Sequence, residues 1–168
     1  VERVVGEGRV AEGVVTAGDA RGAAWSLELM GQGPALSAAD VASGEGVVVR
    51  PFAQVADVAA AMRRSRVLVL PSYEDHWGVV VHEACLSGCA IVTTDGVAAA
   101  QDLVNPHPPA ANGVVTDRDS IADLARGLRE VMAWSDAQWE AAEAESLRRA
   151  RAFGPAVYSA AVGRAVGG

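Results

Sequence analysis

The sequence predicts an α/β fold, a parallel sheet with helices on both faces, from three observations. Short apolar runs rich in Val, Leu and Ile alternate with segments of helical periodicity. One run, Arg66 to Leu70 (RVLVL), places apolar residues in succession, the mark of a strand buried on both faces. The links between runs are short, which implies right-handed crossovers and a sheet sandwiched between helices.

Trp25 to Met30 (WSLELM) reads as a strand ending in Gly31-Gln32-Gly33-Pro34, and Gly46 to Arg50 (GVVVR) as a second. Gln54 to Ser65 carries Val55, Val58, Ala59 and Met62 at i, i+3, i+4 and i+7, one face of a helix. After the buried run, a helix is predicted from about Gly78 to Ser87, stopped by Gly88. Ala90 to Thr94 (AIVTT) is the next strand and Gly113 to Thr116 (GVVT) a shorter one. Asp119 or Ser120 caps a helix that lines up Ile121, Leu124, Leu128 and Val131. Ser135 caps another, which carries Trp139 and ends near Phe153. Gly154-Pro155 breaks it before a last helix to Val166. One domain over 1–168 accounts for all of this, with a core of about 1–133 and C-terminal helices over about 135–166.

The bulk numbers restrict the function. At 168 residues, 51% hydrophobic and 21% charged, the chain is large enough to bury a core. A net charge of −7 argues against nucleic acid, whose phosphates demand clustered cations. All 14 basic residues are Arg, so any phosphate must be held by Arg, backbone amides or helix ends. Cys85 and Cys89 lie four apart with no partner set at zinc-finger spacing, and His76, His82 and His107 are scattered, so neither a metal nor a cofactor is expected. No apolar run is long enough to span a bilayer and no charged-then-apolar leader opens the chain, which makes a cytoplasmic address the expectation. Peripheral membrane contact is left open.

In parallel sheets ligands sit beyond the carboxyl ends of the strands. Four groups of residues occupy such positions: Gly31 to Pro34, Pro51-Phe52, Pro71 to Gly78 and Asp95 to Ala98. The stretch Leu70 to Gly88 (LPSYEDHWGVVVHEACLSG) carries the chemistry. Gly78 permits close approach of a ligand to backbone, and the amides of Gly78, Val79 and Val80 form an anion site at a helix start. Two carboxylates flank it, Asp75 before the helix and Glu83 inside it. Diphosphate on amides with sugar hydroxyls on carboxylates is a coherent arrangement, since a carboxylate accepts two hydrogen bonds in defined geometry. On spacing alone, a Glu in the second turn of a helix after a Gly is common and reads more readily as structural than as a site.

The same stretch resembles the signature of the family-4, group-1 retaining glycosyltransferases of GT-B architecture, on Pro71-Ser72, Trp77-Gly78 and Glu83-Ala84. Leu29 to Pro34 (LMGQGP), Gly88 to Asp95 (GCAIVTTD), Ala98 to Val104 (AAAQDLV) and Asn112 to Asp117 (NGVVTD) are similar to further blocks of that family in the same order. The resemblance covers roughly Gly8 to Tyr158. It implies a Rossmann-like C-terminal domain, one half of a GT-B architecture, that binds a nucleoside diphosphate sugar and transfers the glycosyl group with retention, without metal. By that resemblance Glu83 stands where the ribose hydroxyls bind and Asp75 where the transferred sugar is contacted. Gly78, Val79 and Val80 stand at the diphosphate, beside Trp77. Gly31 falls in the glycine-rich turn, and Arg9 in GRVAEG is the counterpart of a phosphate-binding Arg that follows the first strand. The partner so implied is an N-terminal acceptor-binding domain absent from this chain.

Two departures stand out. Asp75 occupies a Glu position, with Glu74 one residue out of register. The family also places a Lys five residues after the Arg, whereas Arg9 is followed by Val-Ala-Glu-Gly and the chain has no Lys. A second class of function therefore stays open: a catalytically degenerate module that holds nucleotide or a partner protein. A dinucleotide-binding oxidoreductase shares the parallel sheet but needs G-x-G-x-x-G, and GEGRVAEG places its glycines at 6, 8 and 13.

Overall fold

Val67, Leu68, Val69 and Leu70 bring no polar side chain, so their strand is stable only where backbone partners run along both edges and apolar layers cover both faces. The computed structural model, which describes residues 14–18, 25–30, 46–50, 53–154, 157, 159, 160 and 164, places it so. Strand β4 (Val67–Leu70) is buried along its whole length. It pairs in parallel with β5 (Ala90–Thr94), which pairs in parallel with β6 (Gly113–Thr116). On its other edge β4 pairs antiparallel with β1 (Val14–Gly18). Beyond β1 lie β2 (Ser26–Met30), antiparallel to it, and β3 (Val47–Arg50), parallel to β2. The order β3-β2-β1-β4-β5-β6 is that of a doubly wound sheet.

The Rossmann-like sheet flanked by helices is thus present, with one strand reversed. Being antiparallel to both neighbours, β1 runs against β2, β3, β4, β5 and β6, which all point one way. The sequence reading anticipated neither this strand nor its direction.

Five helices are described: α1 (Val55–Arg64), α2 (Val79–Leu86), α3 (Ala99–Leu103), α4 (Ile121–Met132) and α5 (Asp136–Arg151). The period-2 alternation of the strands sorts them into two layers. Leu68, Leu70 and Ile91 face one side and pack with Met62 of α1, Val81, Ala84 and Cys85 of α2, and Leu103 of α3. Val67, Val69, Val92 and Val114 face the other and pack with Leu124, Leu128 and Val131 of α4. Leu68 and Ile91 are fully buried, each contributing about 1.5–3 kcal/mol by removal from water.

Helix boundaries follow local chemistry. Ser120 caps α4 by accepting from the Asp123 N–H at 3.1 Å. Ser135 and Gln138 form a capping box at the start of α5. Helix α5 then passes from one layer to the other, with Ala142 in the second and Ala150 in the first. At the crossing, buried Ser146 donates to the Cys89 carbonyl at 2.7 Å and accepts from Asn112 Nδ2 at 3.0 Å. Cys89 precedes β5, so α5 crosses at the entry end of that strand.

Candidate functional site

Beyond the exit end of β4 the chain turns through Pro71 to Gly78, and this loop is laced to the one that follows β5. Asp75 N–H donates to the Gly96 carbonyl at 2.9 Å, Ala98 N–H to the Asp75 carbonyl at 3.1 Å, and Ala99 N–H to the Trp77 carbonyl at 2.7 Å. Asp75 and Val97 form a parallel bridge, so the β4–β5 pairing resumes past the strand ends. Thr93 Oγ1 donates to the Leu70 carbonyl at 2.9 Å and Thr94 Oγ1 to that of Ser72, fixing where the loop departs.

Asp75 Oδ1 accepts the Trp77 N–H at 3.1 Å, an Asx turn that folds the loop toward the helix. The Trp77 ring packs on Phe153 with centroids 5.8 Å apart and an interplanar angle of 54°. His82 Nε2 donates to the Ala150 carbonyl at 2.9 Å and its ring meets Phe153 edge-on. Trp77 is therefore half-buried, holding the loop on the end of α5.

Gly78 takes φ of 87°, in the left-handed region that favours glycine, and caps α2. A Cβ there would lie 2.7 Å from Val97 Cγ1. Val81 N–H already donates to the Gly78 carbonyl at 2.9 Å, while the N–H groups of Gly78, Val79 and Val80 meet no backbone acceptor among the described residues. Val79 is 61% exposed and Val80 half-buried, while Gly78 itself is buried, so the partial positive charge of this helix start reaches solvent at its first turn beyond Gly78. Glu83, one turn further, is exposed, and its carboxylate takes no hydrogen bond from a described residue.

The structure thus groups Asp75, Trp77, Gly78, Val79, Val80 and Glu83 on one loop and the helix it starts. The two remaining candidates, Arg9 and Gly31, lie outside the described residues. Sequence reasoning missed Arg118, just past β6. Its Nε donates to Asp95 Oδ1 at 2.9 Å, its Nη2 to the Asp95 carbonyl at 3.0 Å and its Nη1 to the Tyr73 carbonyl at 3.3 Å. The bond from the Arg118 guanidinium holds the Asp95 carboxyl below its ordinary range. The signal was available: an Arg two residues beyond a strand exit occupies the same kind of position as Asp75.

Among the described residues no group of three His, Cys, Asp or Glu side chains is arranged to hold a metal ion. Among them, too, no helix is long and apolar enough to cross a membrane.

Residues 11–133 match the family described as Glycosyl transferases group 1. No curated protein matches the chain. In fold it is similar to a sucrose-phosphate synthase from Thermosynechococcus elongatus, with a TM-score of 0.65 at 21% identity over 82% of this chain and 36% of that one. It is similar also to a UDP-forming α,α-trehalose-phosphate synthase from Burkholderia xenovorans, solved with glucose-6-phosphate, with a TM-score of 0.59 at 18% identity. That match covers 73% of this chain and 27% of the synthase. The chain therefore spans about a third or less of the solved structures it resembles.

Proposed function

The chain belongs to the group 1 glycosyl transferases, and on that premise we propose that it binds a nucleoside diphosphate sugar as the donor half of a two-domain retaining enzyme. The observation that carries this is the start of α2, where the N–H groups of Gly78, Val79 and Val80, without a backbone acceptor among the described residues, stand between the Asp75 turn and the exposed Glu83. Three amides at a helix start bind a diphosphate through charge-assisted hydrogen bonds and need no Lys to do so. Glu83 accepts the ribose hydroxyls. Asp75 has one carboxylate oxygen committed to Trp77 N–H and offers the other to the sugar. In this reading Arg9 faces the diphosphate and Gly31 lets backbone approach the donor.

As the bond to the sugar breaks, negative charge collects on the departing diphosphate. Amides fixed by the Gly78 cap meet that charge without reorganising, which is how preorganised dipoles lower a barrier. Helix α2 is itself anchored by fully buried Val81, Ala84 and Cys85, so its first turn cannot drift as the charge forms. The acceptor is positioned by an N-terminal domain across a cleft, and such positioning accounts for ~7–11 kcal/mol of barrier lowering in favourable cases. The 168-residue chain alone is accordingly expected to turn over negligibly, and fusion to such a domain to raise turnover by orders of magnitude. The name of the UDP-forming neighbour makes a UDP sugar the first donor to test.

Calorimetry with UDP, GDP and ADP, each with and without EDTA, tests the reading. At least one nucleotide is expected to bind, equally well with EDTA. Glu83→Ala should weaken it by about 1–3 kcal/mol, the range for stranded hydrogen-bonding groups, while Asp75→Ala leaves bare nucleotide nearly unchanged. Binding of none, loss of binding with EDTA, or a larger effect from Asp75→Ala would overturn it. The absence of Lys from the chain favours a second reading, a module that holds nucleotide without turnover. Binding that survives fusion to an acceptor-binding domain while transfer stays absent would establish that alternative.

A further inference from the structure

We infer that Arg118 is a positioning residue for the sugar end of the donor site, an inference that rests on the donor-binding reading above. Three loops leave the exit ends of β4, β5 and β6, and the Arg118 guanidinium is the side chain that ties them together. It belongs to the β6 loop. Its Nη1 donates to the Tyr73 carbonyl of the β4 loop at 3.3 Å, and its Nη2 to the Asp95 carbonyl of the β5 loop at 3.0 Å. Its Nε and its backbone N–H both reach Asp95 Oδ1, at 2.9 and 3.2 Å. The planar guanidinium also lies 5.9 Å from the centre of the Tyr73 ring, which it faces as a cation over an aromatic.

Two of these acceptors are main-chain carbonyls on different loops, and that defines the role. A surface ion pair with Asp95 alone would contribute little. A planar fork that satisfies two carbonyls at once fixes the distance between the loops, which a Lys ammonium on a flexible stem does not do. The loops already touch: a Cβ at Gly96 would lie 2.1 Å from the Tyr73 carbonyl oxygen and 3.3 Å from Arg118 Cζ. Gly96 thus lets the β5 loop press against the β4 loop, and Arg118 closes the third side. Two residues beyond Tyr73 is Asp75, whose N–H bonds to the Gly96 carbonyl and whose carbonyl accepts from Ala98 N–H. The carboxylate that faces the sugar is therefore held by a turn whose base Arg118 pins. Asp95, committed to Arg118, serves the same frame.

Helix α2, in contrast, is seated by its own buried residues, so the diphosphate and ribose contacts at Gly78 to Glu83 do not hang on Arg118. The two ends of the donor should then respond differently to its loss. Arg118→Ala is expected to speed hydrogen exchange at the Asp75, Ala98 and Ala99 amides about ten-fold, the effect of two or three lost hydrogen bonds. Exchange in the β5–β6 ladder should stay unchanged. With whichever of UDP-, GDP- or ADP-glucose the wild-type chain holds, affinity should fall about ten-fold, while affinity for the matching bare diphosphate stays within two-fold. Arg118→Lys keeps the charge but cannot bridge both carbonyls, and should follow the alanine variant. Gly96→Ala, which pries the same loops apart from the other side, should show the same split.

Unchanged exchange at the three amides, or equal weakening of sugar donor and bare nucleotide, would overturn the assignment, as would full rescue by Lys. The exchange measurement needs no ligand, so the two readings fail separately. A wild-type chain that binds no donor removes the donor reading, whereas a wild-type chain that binds while the split is absent removes the role of Arg118.

Discussion

Replacing Gly78 by alanine sets a methyl group 2.7 Å from Val97 Cγ1, where carbon atoms prefer about 3.5–4.0 Å. Val97 is 1% exposed and sits within the layer formed by Val81, Ala99 and Ala100, so it has little room to retreat. Two costs add. Holding an L-residue at φ of 87° costs roughly 1–2 kcal/mol, and overpacking a tight site costs typically ~1–3 kcal/mol. The sum, about 2–5 kcal/mol, should lower the melting temperature by roughly 4–20 °C for a domain of this size. Only the second cost depends on the Val97 methyl. Val97→Ala has a cavity cost of its own, but combined with Gly78→Ala it should relieve the clash, leaving the double variant ~1–3 kcal/mol more stable than the single effects sum to. Urea unfolding of the four proteins, followed by tryptophan fluorescence, measures that coupling. Strict additivity would show that Gly78 is required for its backbone angle alone. Gly78→Ala that retained both stability and nucleotide affinity would refute the account of the α2 start.

Acid stability should carry the signature of Glu145, whose side chain is 8% exposed and is bridged by Arg148 at 2.7 Å and Arg149 at 2.6 Å. The bond from Arg148, opposed by burial and helped by Arg149, lowers its pKa from 4.5 to about 2. A depressed carboxylate stabilises the fold above its unfolded pKa, and that contribution fades as pH falls from about 4.5 to about 2. With Arg148 itself 65% exposed the screened contribution is about 1–2 kcal/mol, so Glu145→Gln should flatten the stability profile across that window in acid titrations at fixed denaturant. The thiols make the opposite case. Burial pushes Cys85 and Cys89 up to about 12, so Ellman's reagent at pH 8 should label the native chain slowly and both thiols at once on unfolding. Rapid native labelling of either would contradict their packing.

The elements nearest the site were legible because their patterns are local. Arg66 to Leu70, Ala90 to Thr94 and Gly113 to Thr116 became β4, β5 and β6 within a residue, since an apolar run between turn residues has few other uses. Ser120 and Ser135 fix the starts of α4 and α5 through side-chain oxygens that satisfy free amides of the first turn. Gly78 was legible as a helix start, and its positive φ gives the reason for glycine there. Trp77 was legible as a residue of the loop beyond β4, but not its packing against Phe153, 76 positions along the chain. Arg118 was overlooked because its partners, Asp95 and Tyr73, lie 23 and 45 residues away, and only its place two residues past a strand exit marks it apart from other surface arginines.

By itself, then, the sequence determined the strands other than β1 and the helices between them, where the helices begin, and that Asp75, Gly78 and Glu83 share one strand exit and the helix after it. Periodicity and capping act within a turn or a pleat, and a single chain segment displays them. Tertiary structure decided the rest. It set the reversed direction of β1 between β2 and β4, because a strand donates and accepts equally well to a neighbour of either sense and only the path of the connections selects one. It laced Asp75 to Gly96 and Ala98, carried α5 across the entry end of β5 through Ser146, and closed three loops on the guanidinium of Arg118. Each is a polar contact between distant segments, strong only once packing has brought its partners within 3.5 Å, and none leaves a mark on the residues beside it in the chain.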